Sequence, residues 1–226
     1  MASSVNRRRF FTAAGAAVAA GAAAEARQAA AAEVGKGPVR IVAVACSPRP
    51  GKTTAQGLKI CLEAAREAGP AIETELVELA GMNIPVFDPA AKPTDDFQKV
   101  ASKLSDPKVG GIIVGTPVYF GCMSSLCKAF LDHCIAIRKA GFPLSGKVAG
   151  VLAVGGARNG GQELTIQAVQ AALMCHEMLL VGDQRPTAHR GATLWNQGDD
   201  ISGDEFGIQT ARNLGRHVAE VALQTA

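Results

Sequence analysis

The chain has 226 residues, a length suited to one domain, and 48% of them are hydrophobic, enough to bury a real core. Its formal net charge is +3, but Arg7, Arg8, Arg9 and Arg27 face the single acid Glu25 within residues 1–32, so the remainder of the chain is neutral on balance. Only 4% of residues are aromatic, and nucleic-acid binding is thereby left without its basic surface and without its stacking platform.

The amino-terminal run Asn6-Arg7-Arg8-Arg9-Phe10-Phe11 precedes a small apolar stretch from Ala13 to Ala24. A charged head, a short apolar body and Ala-x-Ala sites read as an export signal. The body is too short and too rich in alanine to span a bilayer, which takes roughly 20 strongly apolar residues. Paired arginines followed by Phe-Phe resemble a twin-arginine (Tat) signal, with Asn6 where Ser or Thr is usual. A basic tail and an uncleaved helix lying on a membrane are the competing readings. The expected organisation is an export signal over 1–32, a linker over 33–38 and one folded domain over 39–226. The expected destination is periplasmic, or cytoplasmic if the segment is not a signal.

From residue 39 the pattern alternates. Val39–Ala45 is a β-branched strand, Cys46–Lys52 a turn, and Thr53–Ala68 a helix ended by Gly69-Pro70. Ile72–Leu79 is a strand made polar by Glu73, Glu75 and Glu78, as an edge strand is. Gly81–Asp95, with three prolines, is a loop, and Asp96–Ser105 a helix. Val109–Val114 is apolar on both faces and therefore central; Gly115–Gly121 is a loop and Ser124–Lys139 a helix. Val148–Val154 is a buried strand, 155–161 a glycine loop, Gln162–Glu177 a helix and Met178–Val181 a short strand. Asp183–Ser202 is a long polar loop, and Asp204–Gln224 closes the chain as a helix. Five strands alternating with five helices imply an α/β fold: one parallel sheet, helices on both faces, and ligands beyond the carboxyl ends of the strands.

Three loops rich in Gly, Pro, Ser and Thr, at 46–53, 115–122 and 155–161, follow apolar strands and converge on that crevice. The first, Cys46-Ser47-Pro48-Arg49-Pro50-Gly51-Lys52-Thr53-Thr54, opens a helix, where amides, hydroxyls and the helix dipole attract anions. Ser47, Arg49, Thr53 and Thr54 can donate to a phosphate; an ordinary cap by Thr53 is compatible with that. Gly51-Lys52-Thr53 ends like a Walker A motif, which raises a P-loop nucleotidase as a rival. Against it, Cys46 takes the first glycine position, and Pro48 and Pro50 remove two amide hydrogens from a loop that works through amides.

Ser47-Pro48-Arg49 with Thr53, the run Thr116-Pro117-Val118-Tyr119-Phe120-Gly121-Cys122-Met123-Ser124, and Gly155-Gly156 with Gly160-Gly161-Gln162-Glu163 together resemble the flavodoxin-like NADPH-dependent FMN reductase family, near its quinone-reductase and iron–sulfur flavoprotein branches. The resemblance implies a flavodoxin-like three-layer sandwich with a five-stranded parallel sheet of order 2-1-3-4-5. It implies FMN as cofactor, with Ser47, Arg49, Thr53 and Thr54 on the phosphate. It places Pro117, Val118, Tyr119, Phe120 and Gly121 along the isoalloxazine, and Gly155, Gly156 and Gly160 on its other side. It implies an oxidoreductase moving electrons from NAD(P)H, a quinol or a redox protein to a quinone-like acceptor, in a homo-oligomer (dimer or tetramer). No side chain is assigned as catalytic and none as a metal ligand, because the flavin carries the chemistry.

Two departures are visible. No cysteine lies between Cys61 and Cys122, where the iron–sulfur branch carries its cluster ligands, and Cys122 stands where these families usually have Asn. The six cysteines read mainly as buried thiols, Cys127 and Cys134 sharing one helix face and Cys122 a small filler beside the flavin. The loop at 183–202, with His189, Arg190 and the sole tryptophan Trp195, is expected to cover the flavin or a subunit boundary, or to pack on its own domain. His176 and His217 read as helical. An exported flavin electron carrier without a substrate of its own is the alternative function.

Overall fold

The computed structural model describes residues 37–226. The expected signal at 1–32 and residues 33–36 of the linker lie outside the described residues. Pro38–Thr225 fold as one compact unit.

In chain order the elements are β1 (Val39–Ala45), α1 (Thr53–Arg66), β2 (Ile72–Glu78), α2 (Asp95–Leu104), β3 (Val109–Tyr119), β4 (Cys122–Met123), α3 (Ser125–His133), α4 (Ile135–Lys139), β5 (Val148–Gly155), α5 (Gln162–Met174), β6 (Leu179–Leu180), β7 (Ala192–Trp195) and α6 (Glu205–Thr225). The sheet runs β2-β1-β3-β5-β6, with β7 also on β5. These pairings are parallel, with Ala43 opposite Leu76 on one side and Ile113 on the other. This is the flavodoxin-like order 2-1-3-4-5, with β6 and β7 sharing the fifth place.

Period-two alternation divides the core into two layers. Val42 and Val44 of β1, Ile112 and Val114 of β3 and Ala149, Val151 and Ala153 of β5 face Phe97, Phe130 and Ile166 from α2, α3 and α5. Ile41, Ala43, Ile113 and Leu152 face Leu58 and Leu62 of α1 and Leu214 and Val218 of α6. Burying both faces explains why β1, β3 and β5 read as continuous apolar runs while β2, at the edge, carries glutamates.

Several expectations are corrected. Among the described residues the sheet has seven strands rather than five. The segment 115–121 is not a loop: β3 continues to Tyr119 and turns back through Phe120 and Gly121, at φ 50° and 76°, onto β4. Two successive positive φ values make the two-residue turn that matches strand twist. Pro117 is tolerated inside β3 for a geometric reason. Cys46 donates its amide to the Gly115 carbonyl at 2.8 Å, so Pro117, two residues on, points the same way but past the end of β1, where no ladder bond is lost. The helix expected over 124–139 breaks at Cys134 into α3 and α4, and α5 stops at Met174, leaving His176 buried beyond its end rather than within it. The loop expected over 183–202 contains β7. Cys122 and Cys175 are exposed, not buried, while Cys46, Cys61, Cys127 and Cys134 are buried.

Candidate functional site

Loop 46–52 leaves the carboxyl end of β1 and enters α1. Ser47 is buried, and its hydroxyl accepts the Arg49 amide at 3.1 Å, which tightens the turn. The helix cap is Lys52, not Thr53, and it makes no side-chain cap bond. Thr53 and Thr54 are buried in the first turn, and neither side chain makes a hydrogen bond within the described residues. Gly51 donates its amide to Glu78 Oε2 at 2.8 Å.

The cations of this loop meet a distant carboxylate. Arg49 Nη1 lies 2.6 Å from Asp199 Oδ1, and Lys52 Nζ lies 3.4 Å from Asp199 Oδ2. The hydrogen bond from Arg49 holds the Asp199 carboxyl below its ordinary range. Asp199 sits at φ 68° in the turn closed by the Gln197–Asp200 bridge, just after β7.

The second wall is the β3–β4 hairpin. Pro117 is buried and pairs with Val154; Val118 is half-buried, Tyr119 is exposed, and Phe120 stands fully exposed at the tip. The hairpin is tied back to the first loop. Ser124 donates its hydroxyl to the Cys46 carbonyl at 2.6 Å and accepts the Cys127 amide at 3.1 Å, and Thr116 Oγ1 accepts the Ser124 amide at 3.1 Å. One buried serine therefore fixes the end of β1, the hairpin and the start of α3.

The third wall is the loop after β5. A side chain at Gly155 would meet Gln162 Nε2 at 2.4 Å, so that glycine serves Gln162. Gln162 is itself buried: its amide nitrogen donates to the Ala157 and Leu194 carbonyls and its oxygen accepts the Gly160 amide. Gly156 is exposed with open space before it, Gly160 is held against the Ala157 carbonyl, and Gly161 packs on Gly121 of the hairpin. The second and third walls thus touch.

Sequence reading missed Asp204, Asn196 and Asp199. Buried Asp204 accepts Arg158 Nη2, the Trp195 amide at 2.7 Å and the Gly207 amide at 3.0 Å, so one carboxylate starts α6, ends β7 and holds the third loop. Trp195 Nε1 donates to the Gly156 carbonyl at 3.2 Å. Asn196 Oδ1 is a buried acceptor with no partner within the described residues, at the carboxyl end of β7. The signal for Asp204, an acid three residues before a helix glycine in a polar stretch, is too common to stand out. The segment 182–190 separates β6 from β7 and is sewn to α6: His217 Nδ1 lies 2.9 Å from the Gly182 carbonyl, and Asn213 donates to Thr187 at 2.8 Å.

The residues present fit FMN. A helix N-terminus without a side-chain cap, the hydroxyls of two threonines in its first turn and two cations make an anion cradle. The orphaned Asn196 oxygen and the open face at Gly156 lie at the same carboxyl ends of the strands. Ser47, Arg49, Thr53 and Thr54 come together in the first wall, Pro117, Val118, Tyr119, Phe120 and Gly121 in the second, and Gly155, Gly156 and Gly160 in the third.

Comparison with known proteins identifies the family and the fold. The family model for NADPH-dependent FMN reductase matches residues 39–192. An iron–sulfur flavoprotein of Methanocaldococcus jannaschii is 39% identical over 192 residues, covering 81% of this chain and 97% of that protein. An NAD(P)H dehydrogenase (quinone) of Paracoccus denitrificans is 34% identical over 181 residues, covering 71% of this chain and 83% of that protein. Among solved structures, a WrbA-like flavodoxin of Agrobacterium tumefaciens superposes with a TM-score of 0.57 at 21% identity, covering 83% of this chain and 99% of that one. Among the described residues, no group of three or more His, Cys, Asp or Glu side chains is placed to hold a metal ion.

Proposed function

The chain belongs to the NADPH-dependent FMN reductase family and is an FMN-dependent oxidoreductase, and on that premise we propose that its acceptor is quinone-like. The observation that carries the reading is the convergence of three loops at the ends of β1, β3 and β5, with Arg49 and the uncapped start of α1 on one side and the paired turns at Gly121 and Gly161 on the other. The 34% identity to a relative named for quinone reduction favours that acceptor class.

FMN, when bound, supplies the electron-accepting and electron-donating chemistry. The chain's own residues bind and orient it. In this reading the amides of the first turn of α1, with Ser47, Thr53, Thr54 and Arg49, hold the phosphate. Pro117, Val118, Tyr119, Phe120 and Gly121 line one side of the ring, and an aromatic side chain suits its apolar face. Gly155, Gly156 and Gly160 close the other side, with Gln162 and the Arg158–Asp204 pair keeping that loop rigid. The exposed aromatics of the hairpin favour a dimer or tetramer.

The proposal extends to location. If residues 1–32 direct export, NAD(P)H is not the expected donor outside the cytoplasmic membrane, and a quinol or a redox protein takes its place. An electron carrier without its own substrate is the second reading. Anaerobic stopped-flow mixing of the FMN-loaded protein with NAD(P)H, a quinol and a quinone separates them. Rapid bleaching by a small donor with reoxidation by the quinone is the expected result; no reaction with any small donor or acceptor favours the carrier.

A further inference from the structure

Beside the third loop lies a pocket of about 310 Å3, lined by Arg158, Asn159, Gly161, Leu164, His189, Thr193 and Phe206. It draws on the glycine loop, the start of α5, the segment inserted between β6 and β7, and the start of α6. It shares Arg158, Gly161 and Gln162 with the third wall, but none of the residues placed above on the phosphate or the ring lines it.

The side chains here are organised. Asp183 is fully buried, accepts Thr187 Oγ1 at 2.5 Å and the His189 amide, and lies 3.5 Å from His189 Nδ1. The Nδ1 edge of the imidazole faces that carboxylate, and Nε2 is the ring nitrogen with no partner among the described residues. Such a nitrogen accepts from a hydroxyl when the ring is neutral and donates to a carbonyl when it is protonated. Phe206 is half exposed, with His189 edge-on at 5.7 Å and the Arg158 guanidinium over its ring at 5.7 Å. It is a positioned aromatic surface rather than a core side chain.

Charge decides the class of ligand. Arg158 is paired with Asp204, and Arg190, beside the pocket, with Glu163 at 2.9 Å. Both arginines here already have their own carboxylates, so the pocket offers no surplus positive charge to an anion. The volume is at the small end of ligand sites, roughly 300–1,000 Å3, and suits one or two fused rings.

We propose that this pocket binds a neutral planar aromatic bearing a carbonyl or hydroxyl, the class that includes quinones and quinols, with its ring against Phe206 and its oxygen at His189. The proposal rests on the quinone-like acceptor reading above and places that ligand beside the flavin loop. It concerns binding alone.

Trp195 supplies the readout. It is the only tryptophan, and its indole is bonded to Gly156 of the loop that walls the pocket. Full-length protein, with and without FMN, is titrated with menadione while Trp195 fluorescence is followed, with free N-acetyltryptophanamide as the collisional control. Saturable quenching is expected, with a midpoint weakened at least fivefold in His189→Ala and in Phe206→Leu and with FMN affinity unchanged in both. Leu164→Tyr, at a 64% exposed position on the rim, changes the mouth without touching the core and is expected to weaken menadione as well. Quenching that never saturates, or midpoints unchanged in all three variants, overturns the proposal. Failure of the wild type to take up FMN would instead sink the functional reading, while the titration of the flavin-free protein still reports on the pocket.

Discussion

A carboxylate beside Arg49 and Lys52 competes with a phosphate for the same two cations. Asp199 fills that role, 2.6 Å from Arg49, and its lowered carboxyl range keeps it ionised at working pH. Replacing it by Asn is expected to tighten FMN severalfold and to leave riboflavin, which has no phosphate, unchanged. Parallel titrations of the two flavins check this, and equal shifts in both would contradict it. His176 makes a different residue-scale prediction. It is 6% exposed, its Nδ1 has no partner within the described residues, and burial, aided by Arg138, holds its imidazole below the ordinary 6.5. As pH falls below about 6.5 the unfolded chain takes the proton first, so stability is intact above that pH and declines beneath it. Denaturant midpoints between pH 7 and pH 5 are expected to fall in the wild type and to fall less in His176→Leu. At this scale the grouping of Ser47, Arg49, Thr53 and Thr54 was legible because they lie within eight residues where a strand becomes a helix. Asp199 was not, because 150 residues separate it from Arg49 and only the folded sheet brings them together.

Among the elements, α6 carries the sharpest constraint. At Gly215 it crosses α1 so closely that an added Cβ would lie 1.9 Å from the Cys61 carbonyl oxygen. Alanine is favoured over glycine inside a helix by roughly 1 kcal/mol, but here it must push two helices apart against a rigid backbone. Gly215→Ala is therefore expected to destabilise by about 3 kcal/mol, the upper range of overpacking costs; urea unfolding measures it, and a stabilised variant would refute the close crossing. The main strands and helices were readable from hydrophobic period alone, since β1, β3 and β5 are apolar on both faces. The hairpin was not, because Pro117 and Gly121 look like loop residues, and Pro117 is admissible only because β1 has already ended. β7 was missed because Ala192–Trp195 is four residues long and pairs with the second half of β5, a partner that local patterning does not reveal.

At the scale of the whole molecule, the alternation of strand and helix led to a parallel sheet with helices on both faces, the family resemblance supplied its order, and the order places the three loops together. What sequence reading placed as a long polar loop over 183–202 holds a strand, a turn carrying Asp199 and part of a pocket wall. Export is the remaining whole-chain claim, and a reporter fused after residue 32 is expected to reach the periplasm; retention in the cytoplasm would remove the reason to prefer a quinol or protein donor. The central claim, that this fold holds FMN by its phosphate at the start of α1, is tested most directly by equilibrium titration of the flavin-free protein and its Arg49→Ala variant with FMN and with riboflavin. The account predicts a yellow one-to-one FMN complex, weakened at least tenfold (about 1.4 kcal/mol) by the substitution, and riboflavin binding that is weaker and indifferent to it. A wild-type protein that takes up no FMN, or one that binds both flavins equally with and without Arg49, would contradict it.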